Sequence, residues 1–191
     1  MSDEALFRII LVALSALHYF NHHILHRQPP SKKKALDGAV EWLLAITAVA
    51  WTLSLALYAI GFSWFDYAAP LPLWLRWVGV AVMAACFPLS SWTYRALGAH
   101  FSKRLELRTD HQLVNSGPYR YVRHPMYTTL CLCAVGTCLV TANLFVMAAT
   151  ACVAVVILLR IRNEDAMLAE RFGDQYSAYC RRTGGLLPKL L

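Results

Sequence analysis

Charge is scarce in this chain. Asp, Glu, Lys and Arg make up 15% of its 191 residues, against about 25% in soluble domains, and they stand outside the apolar runs. Glycine-rich nucleotide motifs are missing. There is no Gly-x-Gly-x-x-Gly, no phosphate-binding loop and no Gly-x-Ser-x-Gly, so a Rossmann site or a serine hydrolase finds no support. The six cysteines, Cys86, Cys131, Cys133, Cys138, Cys152 and Cys180, form no Cys-x-x-Cys pair and lie mostly within apolar spans. They read as small packing residues rather than disulfides or metal ligands. No small-residue cleavage site follows the first apolar run, Ala5–Leu25, and that run begins after Asp3 and Glu4. It reads as a retained membrane helix rather than a cleaved signal peptide.

What is present in excess is apolar sequence. Hydrophobic residues make up 58% of the chain, above the roughly 45–50% of soluble domains. A bilayer core takes about 20 apolar residues per helix. Five segments meet or approach that length: Ala5–Leu25, Ala39–Phe62, Leu71–Tyr94, Met126–Val140 and Leu144–Leu159. Pro88 is expected to kink the third. The fourth is short, and Thr141-Ala142-Asn143 joins it to the fifth as a hairpin. The chain is therefore expected to be all-α, one domain over residues 1–191, built as an integral membrane bundle of about five transmembrane helices. Its chemistry is expected in residues 95–191.

The net charge of +7 does not signal nucleic acid. The basic residues border apolar spans, where membrane orientation and anionic lipid headgroups account for them. Arg27 and Lys32–Lys34 occupy the first loop, and Arg95, Lys103, Arg104, Arg108, Arg120 and Arg123 the third. Arg160, Arg162, Arg171, Arg181, Arg182 and Lys189 follow the fifth span, while the intervening loops hold no Lys or Arg. The N-terminus is thus expected outside and the C-terminus inside, with residues 95–124 and 160–191 sharing the cytoplasmic face. Within the tail, Ile161, Met167, Leu168, Phe172, Tyr176 and Tyr179 fall near one face. That pattern predicts an amphipathic helix continuing the fifth span and bending at Gly173 or Gly184-Gly185.

The stretch Gly117-Pro-Tyr-Arg-Tyr-Val-Arg-His-Pro-Met-Tyr127 concentrates the polar chemistry. Gly-Pro and His-Pro both break regular structure. An irregular path beside a membrane helix leaves backbone N–H and C=O groups that a polar ligand can use. Its tyrosines offer faces to an adenine or a sulfonium, and Arg123 and His124 offer donors to a carboxylate. Further on, Arg160 and Glu164 are four residues apart and share a helix face. An interfacial ion pair would explain them. A ligand site would too, with Arg160 forking onto an anionic group and Glu164 onto a cationic one. His18, His22, His23 and His26 cluster near the end of the first span, but His100, His111 and His124 make no second histidine box. The cluster reads as a polar helix end, and no metal is expected.

Several motifs in order give the C-terminal half a resemblance. They are His111-x-Leu113-Val114, Gly117-x-Tyr119 and Arg123-His124-Pro125-x-Tyr127, then Arg160-x-x-x-Glu164-Asp165-x-x-Leu168, then Phe172-Gly173-x-x-Tyr176-x-x-Tyr179 and Pro188. With them the chain resembles the isoprenylcysteine carboxyl methyltransferases and their phospholipid-methyltransferase relatives. Asp165 stands where many members have a second Glu. The basic Lys103-Arg104 pair occupies a region where the family places a polar cofactor contact, and that contact is not carried over.

The resemblance implies S-adenosylmethionine as methyl donor in a cytoplasmic loop. It implies that His111, Gln112, Leu113, Val114, Tyr119, His124, Pro125, Met126, Tyr127 and Glu164 contact the donor. Arg160 would hold the substrate, and Arg160 and Glu164 would carry the catalysis. The acceptor would be a lipophilic small molecule or a lipidated substrate entering from the bilayer. Carboxyl O-methylation of an isoprenylcysteine-like group leads, beside N-methylation of a phospholipid amine. Two other classes stay open from the residues: an NADPH-dependent reductase of the sterol-reductase type, and a membrane interaction protein without enzymatic activity.

Overall fold

A computed structural model describes residues 2–21, 38–65, 67–97 and 113–189. Among these residues six α-helices follow one another: α1 (Asp3–Phe20), α2 (Ala39–Ala59), α3 (Leu73–Leu97), α4 (Pro125–Thr141), α5 (Leu144–Phe172) and α6 (Asp174–Arg182). No β-strand occurs among the described residues; their pairing is limited to two isolated bridges. Among the described residues three helices, α2, α3 and α5, are long and apolar enough to cross a membrane, and α4 is a shorter apolar helix. The 18 residues of α1 include Asp3, Glu4 and Arg8. Large apolar side chains such as Ile46, Val49, Ile60, Trp74, Val155 and Leu158 point outward, the arrangement lipid requires of a spanning bundle.

Local chemistry sets the helix ends. Ser2 caps α1, its Oγ accepting from the Ala5 amide at 3.3 Å, and Asp3 and Glu4 fill the first turn, where a helix favours negative charge. The short connection between α4 and α5 is as the sequence predicts. Ala142 closes α4 in the left-handed region with φ of 46°, unusual for a residue with a side chain. Asn143 then caps α5 by accepting from the amides of Phe145 and Val146, while its Nδ2 donates to the Phe65 carbonyl at 2.7 Å. That clamp holds the turn in place. Helix α3 continues through Pro88 to Leu97.

The short α4 packs along α3 at close range. A Cβ at Gly79 would lie 2.7 Å from the Leu139 Cβ and 2.8 Å from the Gly136 carbonyl. A Cβ at Gly136 would lie 2.8 Å from the Met83 Cγ. Two facing glycines let the backbones touch, which is how membrane helices gain packing without a hydrophobic driving force. The core beside this contact consists of Phe7, Leu11, Tyr58, Met83, Val140 and Val146.

The tail agrees with the amphipathic pattern. Helix α5 runs past its apolar part to Phe172, breaks at Gly173 (φ 49°) and resumes as α6. Ile161, Tyr176 and Tyr179 are buried on the inner face.

Candidate functional site

The stretch from Gly117 to Tyr127 follows the irregular path its prolines predict. Gly117, with φ of 58°, starts a 3-10 turn through Arg120; His124 stands at the N-cap of α4 and Pro125 at its first position. Helices favour proline there because the N–H donor it lacks would have no intrahelical partner at that position. The freed backbone groups, however, go to the tail. The Arg123 and His124 amides donate to the Gly184 and Gly185 carbonyls at 2.8 and 3.2 Å, and the Gly184 amide donates to Tyr121 O. Arg123 Nη1 donates to Thr183 O at 2.8 Å, Thr128 Oγ1 to Leu186 O at 2.7 Å, and the Tyr179 hydroxyl to Tyr119 O at 2.6 Å. Loop and tail therefore form one clasped unit.

His124 lies inside this clasp rather than in an open pocket. It is 3% exposed, with Nε2 at 2.7 Å from Asp165 Oδ1. Asp165 also accepts from the Tyr176 hydroxyl and faces Arg123 at 3.9 Å. This acidic hub was not singled out from sequence beyond its place in the motif. Its signal was the Glu164-Asp165 pair, whose adjacent side chains point to different sides of α5.

On the other side, Glu164 meets Tyr127. The Tyr127 hydroxyl donates to Glu164 Oε2 at 3.0 Å and accepts from Arg160 Nε at 2.8 Å. Tyr127 thereby bridges Arg160 and Glu164, the two residues whose helical spacing marked them in the sequence. Arg160 is 6% exposed. Its Nη1 also contacts both carboxylate oxygens of Glu41, the nearer pair at 2.5 Å. Glu41, in the first turn of α2, went unnoticed in the sequence because no local pattern links it to a residue 119 positions away.

Arg160 and Tyr127 stand on the wall of a cavity of about 690 Å³ inside the bundle. Its wall runs from Met83 and Thr137 in mid-bundle to Tyr94 and Met126 toward the loop, and is mostly apolar. His18 lies on the same wall, its Nδ1 donating to Leu14 O at 2.9 Å. His22, His23 and His26, like His111 and Gln112, lie outside the described residues. Leu113 and Val114 are half-buried on the approach to the turn, and Pro125 is buried. Tyr119 is 9% exposed, and burial first, then the Glu164 charge, pushes its phenol well above the usual tyrosine range. Tyr119 and Glu164 thus share one electrostatic environment. Among the described residues no group of three His, Cys, Asp or Glu side chains is placed to hold a metal.

Comparison with known proteins places this architecture. The profile of the phospholipid methyltransferase family matches residues 74–175, just over half of the chain. The chain is 31% identical over 166 residues to the cobalt-zinc-cadmium resistance protein CzcN of Cupriavidus metallidurans, covering 85% of this chain and 71% of that protein. It is 30% identical over 118 residues to the protein-S-isoprenylcysteine O-methyltransferase of Tribolium castaneum, covering 60% of this chain and 42% of that enzyme. The match therefore spans less than half the length of the Tribolium enzyme. The solved structure of the eukaryotic intramembrane Ras methyltransferase ICMT (isoprenylcysteine carboxyl methyltransferase) superposes with a TM-score of 0.68 at 23% identity. That superposition covers 98% of this chain and 68% of that one, and it establishes the fold. The reductase and non-enzymatic readings give way to these matches. The chain belongs to the phospholipid methyltransferase family, alongside the isoprenylcysteine carboxyl methyltransferases, and is an integral membrane methyltransferase.

Proposed function

We propose that the protein transfers a methyl group from S-adenosylmethionine to the carboxylate of a lipophilic, isoprenylcysteine-like acceptor at the cytoplasmic membrane face. One observation carries this reading: Tyr127 joins Arg160, on the wall of an apolar cavity, to Glu164 on the loop side. An anion-binding group facing the bilayer interior and a cation-binding group facing the polar loop meet through one hydroxyl. The clustering of Lys and Arg in the loops and tail on this side supports the cytoplasmic orientation.

The residues suit such a donor. Glu164 is half-buried, and the Tyr127 bond occupies Oε2, leaving Oε1 for an ammonium group. The Tyr119 and Tyr127 rings give a cationic sulfonium aromatic surroundings. Leu113, Val114, Pro125 and Met126 add apolar contact, with His111 and Gln112 continuing the same segment. When bound, the donor supplies an electrophilic methyl group on positively charged sulfur.

What remains for the protein is alignment. A carboxylate acceptor is ionised at neutral pH and needs no base. Arg160 would fix its two oxygens, directing one at the methyl beside the mostly apolar cavity wall. One C–O bond forms as one C–S bond breaks, and the electron pair stays on sulfur. His124 and Asp165 act as positioning residues, holding the loop on the tail. The family profile, by its description, keeps a second reading in view, N-methylation of a phospholipid amine. That reaction must also remove a proton, and Glu164 stands closer to that task than His124, which faces Asp165.

Calorimetric titration of detergent-purified protein with S-adenosylmethionine and S-adenosylhomocysteine tests this reading. Saturable binding is expected, weakened roughly 10-fold or more in Glu164→Ala, the size of losing a charge-assisted contact. Affinity unchanged by that substitution would remove Glu164 from the donor site.

A further inference from the structure

The Arg160 guanidinium, assigned above to the acceptor's carboxylate, already grips a carboxylate of this chain. Glu41 Oε1 and Oε2 both lie within hydrogen-bond distance of Arg160 Nη1. The Arg160 side chain is buried, at 7% exposure, and that of Glu41 is partly buried, at 18%. Glu41 belongs to α2 and lies outside residues 74–175 that match the family profile. Leu44, one turn further along α2, lines the same cavity as Arg160.

We propose that Glu41 is a specificity latch: an internal carboxylate that holds the acceptor's place on Arg160 until a carboxylate-bearing lipid displaces it. This rests on the reading that Arg160 receives the acceptor's carboxylate. The physics favours exchange of like for like. An arginine buried without an anion is costly, so Arg160 keeps a partner whether the acceptor is bound or not. A neutral lipid, including the methyl ester formed by the reaction, offers no charge to replace Glu41. The latch therefore rejects uncharged lipids and helps expel the product.

The displaced carboxylate has somewhere to go. Glu41 occupies the third position of α2, whose N-cap is Gly38 with no side-chain cap. The first-turn amides of a helix lack intrahelical acceptors, and an acidic side chain at this position can fold back onto them. Glu41 thus has two docking places one side-chain rotation apart, Arg160 in the closed state and its own helix end in the open one.

Equilibrium binding of radiolabelled N-acetyl-S-farnesylcysteine and of its methyl ester tests the latch. Full-length detergent-purified protein is used as wild type, Glu41→Gln, Glu41→Ala and Arg160→Gln, each first checked for folding by thermal unfolding. Glu41→Gln keeps the side-chain volume and removes the competing charge. It is expected to tighten binding of the acid about 10-fold and of the ester at least as much, because the neutral lipid is no longer shut out. Glu41→Ala is expected to shift in the same direction. Unchanged acid binding in both Glu41 variants, with Arg160→Gln weakening it, would overturn the latch alone. Acid and ester weakened together in the Glu41 variants would make Glu41 a structural brace and also overturn it. Acid binding unaltered by Arg160→Gln would remove the assignment of Arg160 and the latch with it.

Discussion

Two buried arginines occupy this bundle in similar company and at opposite ends. Arg76, at the start of α3, bonds Glu4 at 2.8 Å and the Tyr58 hydroxyl at 3.0 Å, and Tyr58 in turn donates to Glu4 at 2.6 Å. Its Nε donates to the Val140 carbonyl, and its guanidinium lies 4.0 Å above the Phe7 ring. Arg160, in α5, also combines a tyrosine with glutamates, but the arrangement is open. The Tyr127 hydroxyl donates to Glu164 and accepts from Arg160, while Arg160 also turns to Glu41. Glu41 and Tyr58 both belong to α2; their separation of 17 positions puts the two clusters roughly 25 Å apart along the axis. The Arg76 cluster is a closed ring tying α1, α2, α3 and the end of α4. The Arg160 cluster is a chain with two ends, one on a cavity and one on the polar loop. The same residue types thus form a closed fastener in one place and an open chain beside a cavity in the other.

Substituting each arginine separates the two roles. Arg160→Gln is expected to lower turnover roughly 100-fold or more, as the loss of a charge-orienting donor does, while donor affinity stays near wild type and some stability is lost because Glu41 is stranded. Labelled-donor assays and calorimetry on the same sample check this, and normal turnover would merge the two clusters into one structural class. Arg76→Gln is expected to do the reverse. It strands Glu4 and the Val140 carbonyl, and stability should fall by about 3 kcal/mol, with turnover per folded molecule retained. Thermal unfolding in detergent beside an activity assay decides it.

A finer cut is Tyr127→Phe. The ring stays, the link between Arg160 and Glu164 goes, and kcat is expected to fall about 10-fold with little change in donor affinity. A Kd for donor that moves as much as kcat would show that Tyr127 belongs to the donor side alone. The smallest effect concerns the loop–tail clasp. Burial pushes the Tyr179 phenol up to about 12 and the Tyr119 phenol higher still than its ordinary value. Both hold their protons more tightly folded than unfolded, so their contribution is intact below pH 10 or so and is lost as pH rises through the folded values. Melting temperature should therefore decline modestly above about pH 10 in wild type and less in Tyr179→Phe, which keeps the ring and removes the ionising hydroxyl.

Much of the architecture was legible in the chain. Apolar runs separated by polar or basic loops fix helices whatever their neighbours do, and Gly173 and Thr141-Ala142-Asn143 mark breaks by local backbone chemistry. The pairing of Arg160 with Glu164 on one face followed from helical spacing alone. Less legible was the use of the Gly117–Tyr127 backbone. Its freed amides were expected to face a ligand, yet Gly184 and Gly185 take those of Arg123 and His124, because the tail folds back over a loop some 60 residues earlier. His124 likewise serves the clasp through Asp165, since burial leaves it 3% exposed.

By itself, then, the sequence determined an all-helical membrane chain, its family and which polar residues to propose for the site. Those properties come from periodicity, turn chemistry and motif order, which are local. Only the tertiary structure decided which charges meet. Glu41 reaches Arg160, Tyr58 reaches Arg76, and the facing glycines Gly79 and Gly136 bring α3 against α4. Each contact joins residues distant in the chain, where no periodicity carries information, and the cost of burying an unpaired charge or leaving a void in a close-packed bundle selects the partner.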